Sequence, residues 1–329
     1  MHTGRYTSIV VGAVACMFLA ATNAQAQQGQ AQQAPKSADE LAERLGVKTL
    51  TKGSSSWNEK RKALKELPLN RLNQQQRARA DLVLKSVSQF RRLPTIQTPI
   101  EPAVFQYFLN HPDVAVSLWR VMGISEFKLW QTSDFTYQAD AGDGSKGSAE
   151  YLYRDNQQCI LACDGLYQNP MLKNPIQARA LVHLRYQFQP GTEGQLPIVT
   201  QQVNAYISFP STAVKTVAKV ISPVTNKIMD RNCVEITVFL KVMSDSMETR
   251  PQWIRSMAAK MDGVMPIRRT ELADLAASVN TGAKARSIQG QLGRARLDGA
   301  DPRTQLLPIT SPSGNVIRRA SRQRTLPRR

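Results

Sequence analysis

The sequence predicts an α+β fold in which an antiparallel sheet of about five strands is preceded by a helix and covered by a C-terminal helical block. Three observations predict it. Apolar residues follow a helical spacing over 101–122, alternate with polar residues over 126–209, and return to a helical spacing over 211–262. Strands grouped together, with helices grouped after them, favour α+β over a parallel α/β fold. We therefore assign 101–262 as the core domain.

Residues 1–26 have the three parts of a secretory signal peptide. A short polar start carries Arg5, an apolar run of thirteen residues spans 9–21, and Ala24 and Ala26 supply the small residues of a cleavage site. A helix that spans a bilayer needs about 20 apolar residues. We therefore expect cleavage after Ala26 and not retention as an anchor. The mature protein is then expected in the periplasm, in the cell envelope or outside the cell.

Residues 27–100 are expected to form a Gln-rich linker followed by a basic helical extension. The segment 27–37 has little apolar surface to bury and is expected to be disordered. Apolar spacing and capping residues predict helices over 38–45, 57–67 and 70–92. Because these helices are rich in Arg, Lys and Gln, we expect them to pack loosely on the core. The proline-punctuated segment 95–102 is interpreted as the connector to the core domain.

The core is expected to begin with a helix over 101–122 that His111-Pro112 interrupts. A meander of strands follows, predicted over 127–137, 150–154, 158–166, 178–189 and 198–209. An antiparallel meander with alternating polarity is expected to bury one face and to leave the other available. Helices are then predicted over 211–221, 232–243 and 251–261. Residues 263–329 are interpreted as a linker and a basic disordered tail.

The formal charge of +18 lies mainly outside the predicted core. Residues 27–92 carry a net charge of +8 and residues 283–329 carry +9, whereas residues 93–262 are neutral. A neutral folded domain argues against specific nucleic-acid recognition, which needs a basic face. Basic flanks instead favour loose, salt-sensitive binding to an anionic envelope surface. A solubilising tail without any partner is the alternative interpretation.

The element order over 101–262 resembles the helix-grip architecture of the START-like superfamily, in which an antiparallel sheet grips a long C-terminal helix. The segment is also similar to uncharacterised exported bacterial proteins. The resemblance lies in the order of the elements and not in a sequence motif. It implies an apolar pocket, between the sheet and the C-terminal helix, for a lipid-like or hydrophobic ligand.

Four residues are candidates for binding a ligand. His183 and Arg185 lie on the strand face opposite Val182, and a bidentate arginine suits an anionic headgroup. Tyr206 lies on the polar face of the last strand, and Arg154 is the last residue of the second strand, on the same face as Glu150. The alternative for His183 and Arg185 is a solvated sheet face, and for Arg154, which shares a strand face with Glu150, a cross-strand ion pair.

The sequence contains no G-x-S-x-G elbow, no P-loop, no dinucleotide fingerprint and no EF-hand loop. We expect no cofactor and no metal site. Cys159, Cys163 and Cys233 are expected to be buried thiols, and a disulfide, if one forms, would join Cys233 to one of the other two. These features favour a non-catalytic exported protein that binds a hydrophobic small molecule or lipid. The alternative is a structural or interaction protein attached to the envelope by its basic flanks, and an enzyme is less favoured than either.

Overall fold

The structure, a computed structural model, describes residues 38–168, 174–192 and 194–297. The predicted signal peptide, the Gln-rich linker and the tail beyond residue 297 lie outside the described residues. The α-helices within them are α1 (Ala38–Arg44), α2 (Trp57–Glu66), α3 (Gln74–Leu84), α4 (Pro102–Asn110), α5 (Pro112–Val121), α6 (Thr212–Thr249), α7 (Pro251–Lys260) and α8 (Ile267–Leu297). The strands are β1 (Lys48–Thr51), β2 (Gln89–Arg92), β3 (Thr95–Pro99), β4 (Lys128–Ser133), β5 (Thr136–Asp140), β6 (Ser145–Arg154), β7 (Gln158–Tyr167), β8 (Ile176–Gln189) and β9 (Ile198–Ser208).

These strands form one antiparallel sheet in the order β1-β3-β9-β8-β7-β6-β5-β4, and β2 pairs with β9 beside β3. Each strand from β4 to β8 pairs with the next one along the chain, so six strands form a meander. Helices α4 and α5 lie between β3 and this meander in the chain, and the long helix α6 follows it. The predicted α+β class, an antiparallel sheet followed by a C-terminal helical block, is confirmed, and the sheet has nine strands among the described residues in place of about five.

The N-terminal extension, predicted to be a basic helical extension, contributes strands as well as helices. The helix predicted over 70–92 ends at Leu84, and the chain then forms β2. The segment 95–102, predicted to be a connector, contains β3. Both strands run along β9, and the Leu93 N–H between them donates to the Val203 carbonyl at 2.8 Å. Backbone pairing with β9 overrides the local helical spacing, so the sheet begins before residue 101.

Both faces of the sheet are buried over its middle strands, so the prediction of one available face was wrong. The inner face packs against α4, α5 and α6 and includes Leu161 and Ala205. The outer face includes Ile160, Leu181 and Tyr206. It is covered by buried side chains of α2 and α3, namely Ala63, Ala80 and Val83. The extension therefore supplies a second core and does not pack loosely.

The C-terminal part contains two long helices where shorter elements were predicted. Helix α6 runs for 38 residues, passes through Pro223, and covers both helices predicted over 211–221 and 232–243. Helix α8 extends for 31 residues through a segment predicted to be a linker and tail. Leu272, Ala276 and Val279 of α8 are buried at helical spacing, which explains why that segment is ordered. None of the helices in the described ranges combines the length and the apolar character needed to cross a membrane.

Candidate functional site

A cavity of about 180 Å³ lies between the inner face of the sheet and the helices α4, α5 and α6. The sheet contributes one wall and the helices contribute the other. The lining residues are Leu93, Phe105, Phe108, Leu109, Pro112, Ala115, Val116, Trp119, Leu129, Tyr151, Cys159, Leu161, Ala180, Val182, Leu184, Gln201, Val203, Ala205, Ile207, Met229, Cys233, Ile236, Thr237, Phe239 and Leu240.

The chemistry of this lining is almost entirely apolar. It includes no Asp, Glu, Lys, Arg or His. Besides Tyr151 and Trp119, whose rings carry one polar group each, the lining has the polar side chains of Gln201 and Thr237. These two form a hydrogen bond in which the Gln201 Nε2 donates to the Thr237 Oγ1 at 2.6 Å. The Thr237 hydroxyl in turn donates to the Cys233 carbonyl one helical turn earlier, at 2.8 Å. Walls of this kind suit an apolar ligand.

Aromatic side chains fix the helical wall of the cavity. Phe239 of α6 meets Phe108 of α4 and Trp119 of α5 edge to face, with ring centroids 5.7 Å and 5.6 Å apart. On the opposite wall the Tyr151 hydroxyl donates to the Leu109 carbonyl at 2.5 Å. That carbonyl belongs to the last turn of α4, where the carbonyl groups have no hydrogen-bond partner within the helix. The sheet thus holds the C-terminal end of α4.

The cysteines are buried free thiols and form no disulfide within the described residues. Cys159 of β7 and Cys233 of α6 line the cavity, whereas Cys163 does not. Burial raises the pKa of each thiol to about 12. A thiol with such a pKa holds its proton at neutral pH, so these side chains act as small apolar groups and not as nucleophiles. The described residues contain no cluster of His, Cys, Asp or Glu able to hold a metal ion.

Three of the four predicted ligand residues come together, but on the outer face and away from the cavity. His183 is fully buried there, with its Nε2 at 3.0 Å from the Gln158 Oε1. Burial lowers the pKa of His183 to about 4. Tyr206 is fully buried beside Phe90. Arg154 lies apart on the surface, 5.2 Å above the Tyr151 ring.

Arg185 is already ion-paired within the chain, because the N-terminal extension provides its anionic partner. Its guanidinium lies 2.9 Å from Glu66 of α2 and donates to Gln202 at 2.5 Å. Arg92 beside it binds the carboxylates of Glu59 and Glu66, each at 2.6 Å. The expectation that this face would hold an anionic headgroup is thus corrected: carboxylates of the same chain pair with both arginines.

The alternative expected for Glu150 and Arg154, ion pairing to a neighbouring strand, is not seen among the described residues either. Glu150 instead lies 3.7 Å from Arg79 of α3, at the covered outer face. Arg154 stacks on aromatic rings, since the Phe135 ring is 6.0 Å away. The β6 register shifts between Tyr151 and Tyr153, which changes the face on which the following residue lies. A bulge of this kind has no clear signal in the sequence.

Sequence analysis missed the residues that form the cavity, although part of the signal was present. The inward positions of the central strands carry Ala180 and Ala205, between bulkier residues such as Val182 and Ile207. Small side chains at the middle of an apolar face leave space beneath a covering helix. The alternation of apolar and polar residues predicts which face of the sheet is buried, and the small residues on that face indicate where the cavity lies.

Comparisons with known proteins do not assign a family. No protein-family model matches the chain, and no curated protein matches it. Among solved structures, an uncharacterised protein from Rhizobium leguminosarum is similar at 16% identity, over 46% of this chain and 95% of that one, with a TM-score of 0.27. A likeness at that score carries no argument about fold or function.

Proposed function

We propose that this protein is a non-catalytic binding protein that holds a small hydrophobic ligand in the cavity beneath α6. The observation that carries the proposal is the uncharged, almost entirely apolar lining of a space of about 180 Å³ between the sheet and the helices. The proposal also agrees with the START-like resemblance and its implied pocket.

The volume of the cavity limits the size of the ligand. An engineered apolar cavity of about 150 Å³ stays dry and binds benzene or xenon. The cavity here is slightly larger, so it accepts a single ring or a short alkyl chain. A complete lipid would need α6 to move outwards. We therefore narrow the expected lipid-like ligand to a small hydrophobic molecule.

The proposal also includes export of the protein. The predicted signal peptide would direct the protein to the periplasm, the envelope or the exterior, where a carrier of poorly soluble molecules is useful. N-terminal sequencing of the mature protein tests this part. A mature chain that begins at residue 27 supports export, and a chain that retains residues 1–26 contradicts cleavage.

Ligand binding is tested by native mass spectrometry of protein that was purified without detergent, followed by solvent extraction. Ala205→Phe places a phenyl ring inside the cavity, and Ala103→Phe makes the same change at an exposed position of α4. The wild type and Ala103→Phe should carry a small apolar adduct or take up added benzene, and Ala205→Phe should do neither. If the wild type takes up nothing, or Ala205→Phe takes up the same ligand, the proposal fails.

Attachment to an anionic surface is a second candidate, favoured by the charge of +9 over residues 283–329. Phospholipid headgroups, wall polymers and acidic polysaccharides carry the required charge outside the cytoplasm. Deletion of residues 298–329 should reduce sedimentation with vesicles of anionic phospholipid and leave benzene uptake unchanged. Unchanged sedimentation would exclude the tail as the attachment site.

A further inference from the structure

We propose that the cavity selects a neutral hydroxylated aromatic molecule, and that the side-chain oxygen of Gln201 accepts a hydrogen bond from its hydroxyl. This inference rests on the proposed binding function and names the ligand class. Three properties of the cavity carry it: its lack of charge, the orientation of one amide, and its size and aromatic walls.

The absence of charged lining residues excludes an ionised ligand group inside the cavity. A buried carboxylate without a paired cation is strongly disfavoured, because its loss of hydration is not offset. Neither Lys nor Arg lines this space. A ligand that enters completely is therefore neutral, and a fatty acid would have to leave its charged end outside.

A short chain of hydrogen bonds orients the amide of Gln201. The Thr237 hydroxyl gives its proton to the Cys233 carbonyl, so its oxygen is left to accept. Gln201 must then turn its NH₂ group towards Thr237, at 2.6 Å, and its Oε1 the other way. This Oε1 has no hydrogen-bond partner among the described residues, and Gln201 lies in the cavity wall at 7% exposure.

An acceptor without a partner in an apolar cavity favours a ligand that supplies one donor. The Gln201 Oε1 is not among the fully buried polar atoms without a partner, so it keeps accessible surface at which a ligand hydroxyl can donate a hydrogen bond. Phe105 and Trp119 face the same space, and aromatic pairs at van der Waals distance prefer offset or edge-to-face contact. A planar ring of about the size of benzene fills the volume and reaches the Gln201 oxygen with a single hydroxyl.

The test is titration calorimetry of the full chain with benzene and with phenol at pH 7, where phenol is neutral. Gln201→Met removes the amide but keeps an unbranched side chain of similar length. Gln202→Met is the matched control, since it makes the same change at the adjacent residue, whose side chain lies on the outer face with Arg185. Comparing the ratio of phenol to benzene affinity between variants cancels the difference in hydration of the two probes.

We expect Gln201→Met to lower that ratio by about fivefold to tenfold, the equivalent of one hydrogen bond. Gln202→Met should leave it unchanged. If Gln201→Met no longer binds benzene and circular dichroism shows that it is misfolded, Thr237→Val decides, because it frees the amide to turn and should also lower the ratio. An unchanged ratio with intact benzene binding overturns the hydroxyl preference and leaves the binding function standing. If neither probe binds the wild type, the proposed function itself fails.

Discussion

Arg92 holds the N-terminal extension on the outer face of the sheet, and its replacement should destabilise the whole fold. Its side chain is 8% exposed and binds Glu59 and Glu66 of α2, each at 2.6 Å. Its Nε donates to the buried Asn204 Oδ1 at 3.0 Å. Arg92→Met keeps the apolar stem and removes these three interactions. The two carboxylates then lose their shared cation.

The cost follows from the burial of the partners. Removing one member of a buried ion pair costs about 3–5 kcal/mol. Glu59 is 34% exposed and can turn to solvent, and Glu66 keeps Arg185 at 2.9 Å. We therefore expect a loss of about 3 kcal/mol, at the lower end of that range. This corresponds to a fall in the melting temperature of about 6–12 °C for a chain of this size.

The assay is urea unfolding followed by circular dichroism, with Arg77→Met as the matched control. Arg77 pairs with Asp81 at 3.1 Å on the surface of α3, with 46% of its side chain exposed. An exposed pair of this kind contributes less than about 0.5 kcal/mol. If Arg92→Met unfolds at the same urea concentration as Arg77→Met, the extension is not held as described.

Three further outcomes are expected. Tyr151→Phe removes the hydroxyl bound to the Leu109 carbonyl and should cost about 1–2 kcal/mol in urea unfolding; a change below 0.3 kcal/mol, on the order of ordinary surface substitutions, would show that this bond does not hold the end of α4. The pKa of His183 is about 4, below the ordinary histidine value of 6.5. Between these two pH values the folded protein therefore binds fewer protons than the unfolded chain. The free energy of unfolding is therefore highest above pH 6.5 and falls as the pH drops towards 4. His183→Gln should weaken that fall in acid titrations of the melting temperature, and an unaltered profile would contradict a neutral buried imidazole. The three thiols should resist a disulfide reagent at pH 8 until denaturant is added, whereas rapid reaction of the folded protein would contradict their burial.

The fold was predictable where one period dominates a long segment. Val182 and Leu184 alternate with polar neighbours, and β8 lies where this alternation predicts it. The strand β3 was missed because Pro94 and Pro99 frame a short segment, and proline usually signals a connector. In α8 the apolar positions are sparse, and ion pairs from Arg286 to Glu101 and Glu248, at 2.8 Å and 2.6 Å, add to the order. Such distant partners leave no trace in local periodicity.

The candidate site was less accessible to sequence reasoning than the fold. The pairing of Gln201 with Thr237 joins a strand to a helix, and its effect on the amide depends on a third group, the Cys233 carbonyl. The polar appearance of His183 and Arg185 pointed to an available face, but the extension supplies partners for that face. A sequence shows which residues are polar, and the packing of distant segments decides which of them are free.

The most direct test of the binding site is a methyl chemical-shift titration of the full chain with benzene. Leu161, Val203 and Met229 line the cavity on the inner side, whereas Leu152 and Leu181 lie in the outer core beneath the extension. Benzene should shift the methyl signals of the first three residues in a saturable way and leave the other two in place. Shifts centred on Leu152 and Leu181, or no saturable shift at any of the five, would contradict a ligand site between the sheet and α6.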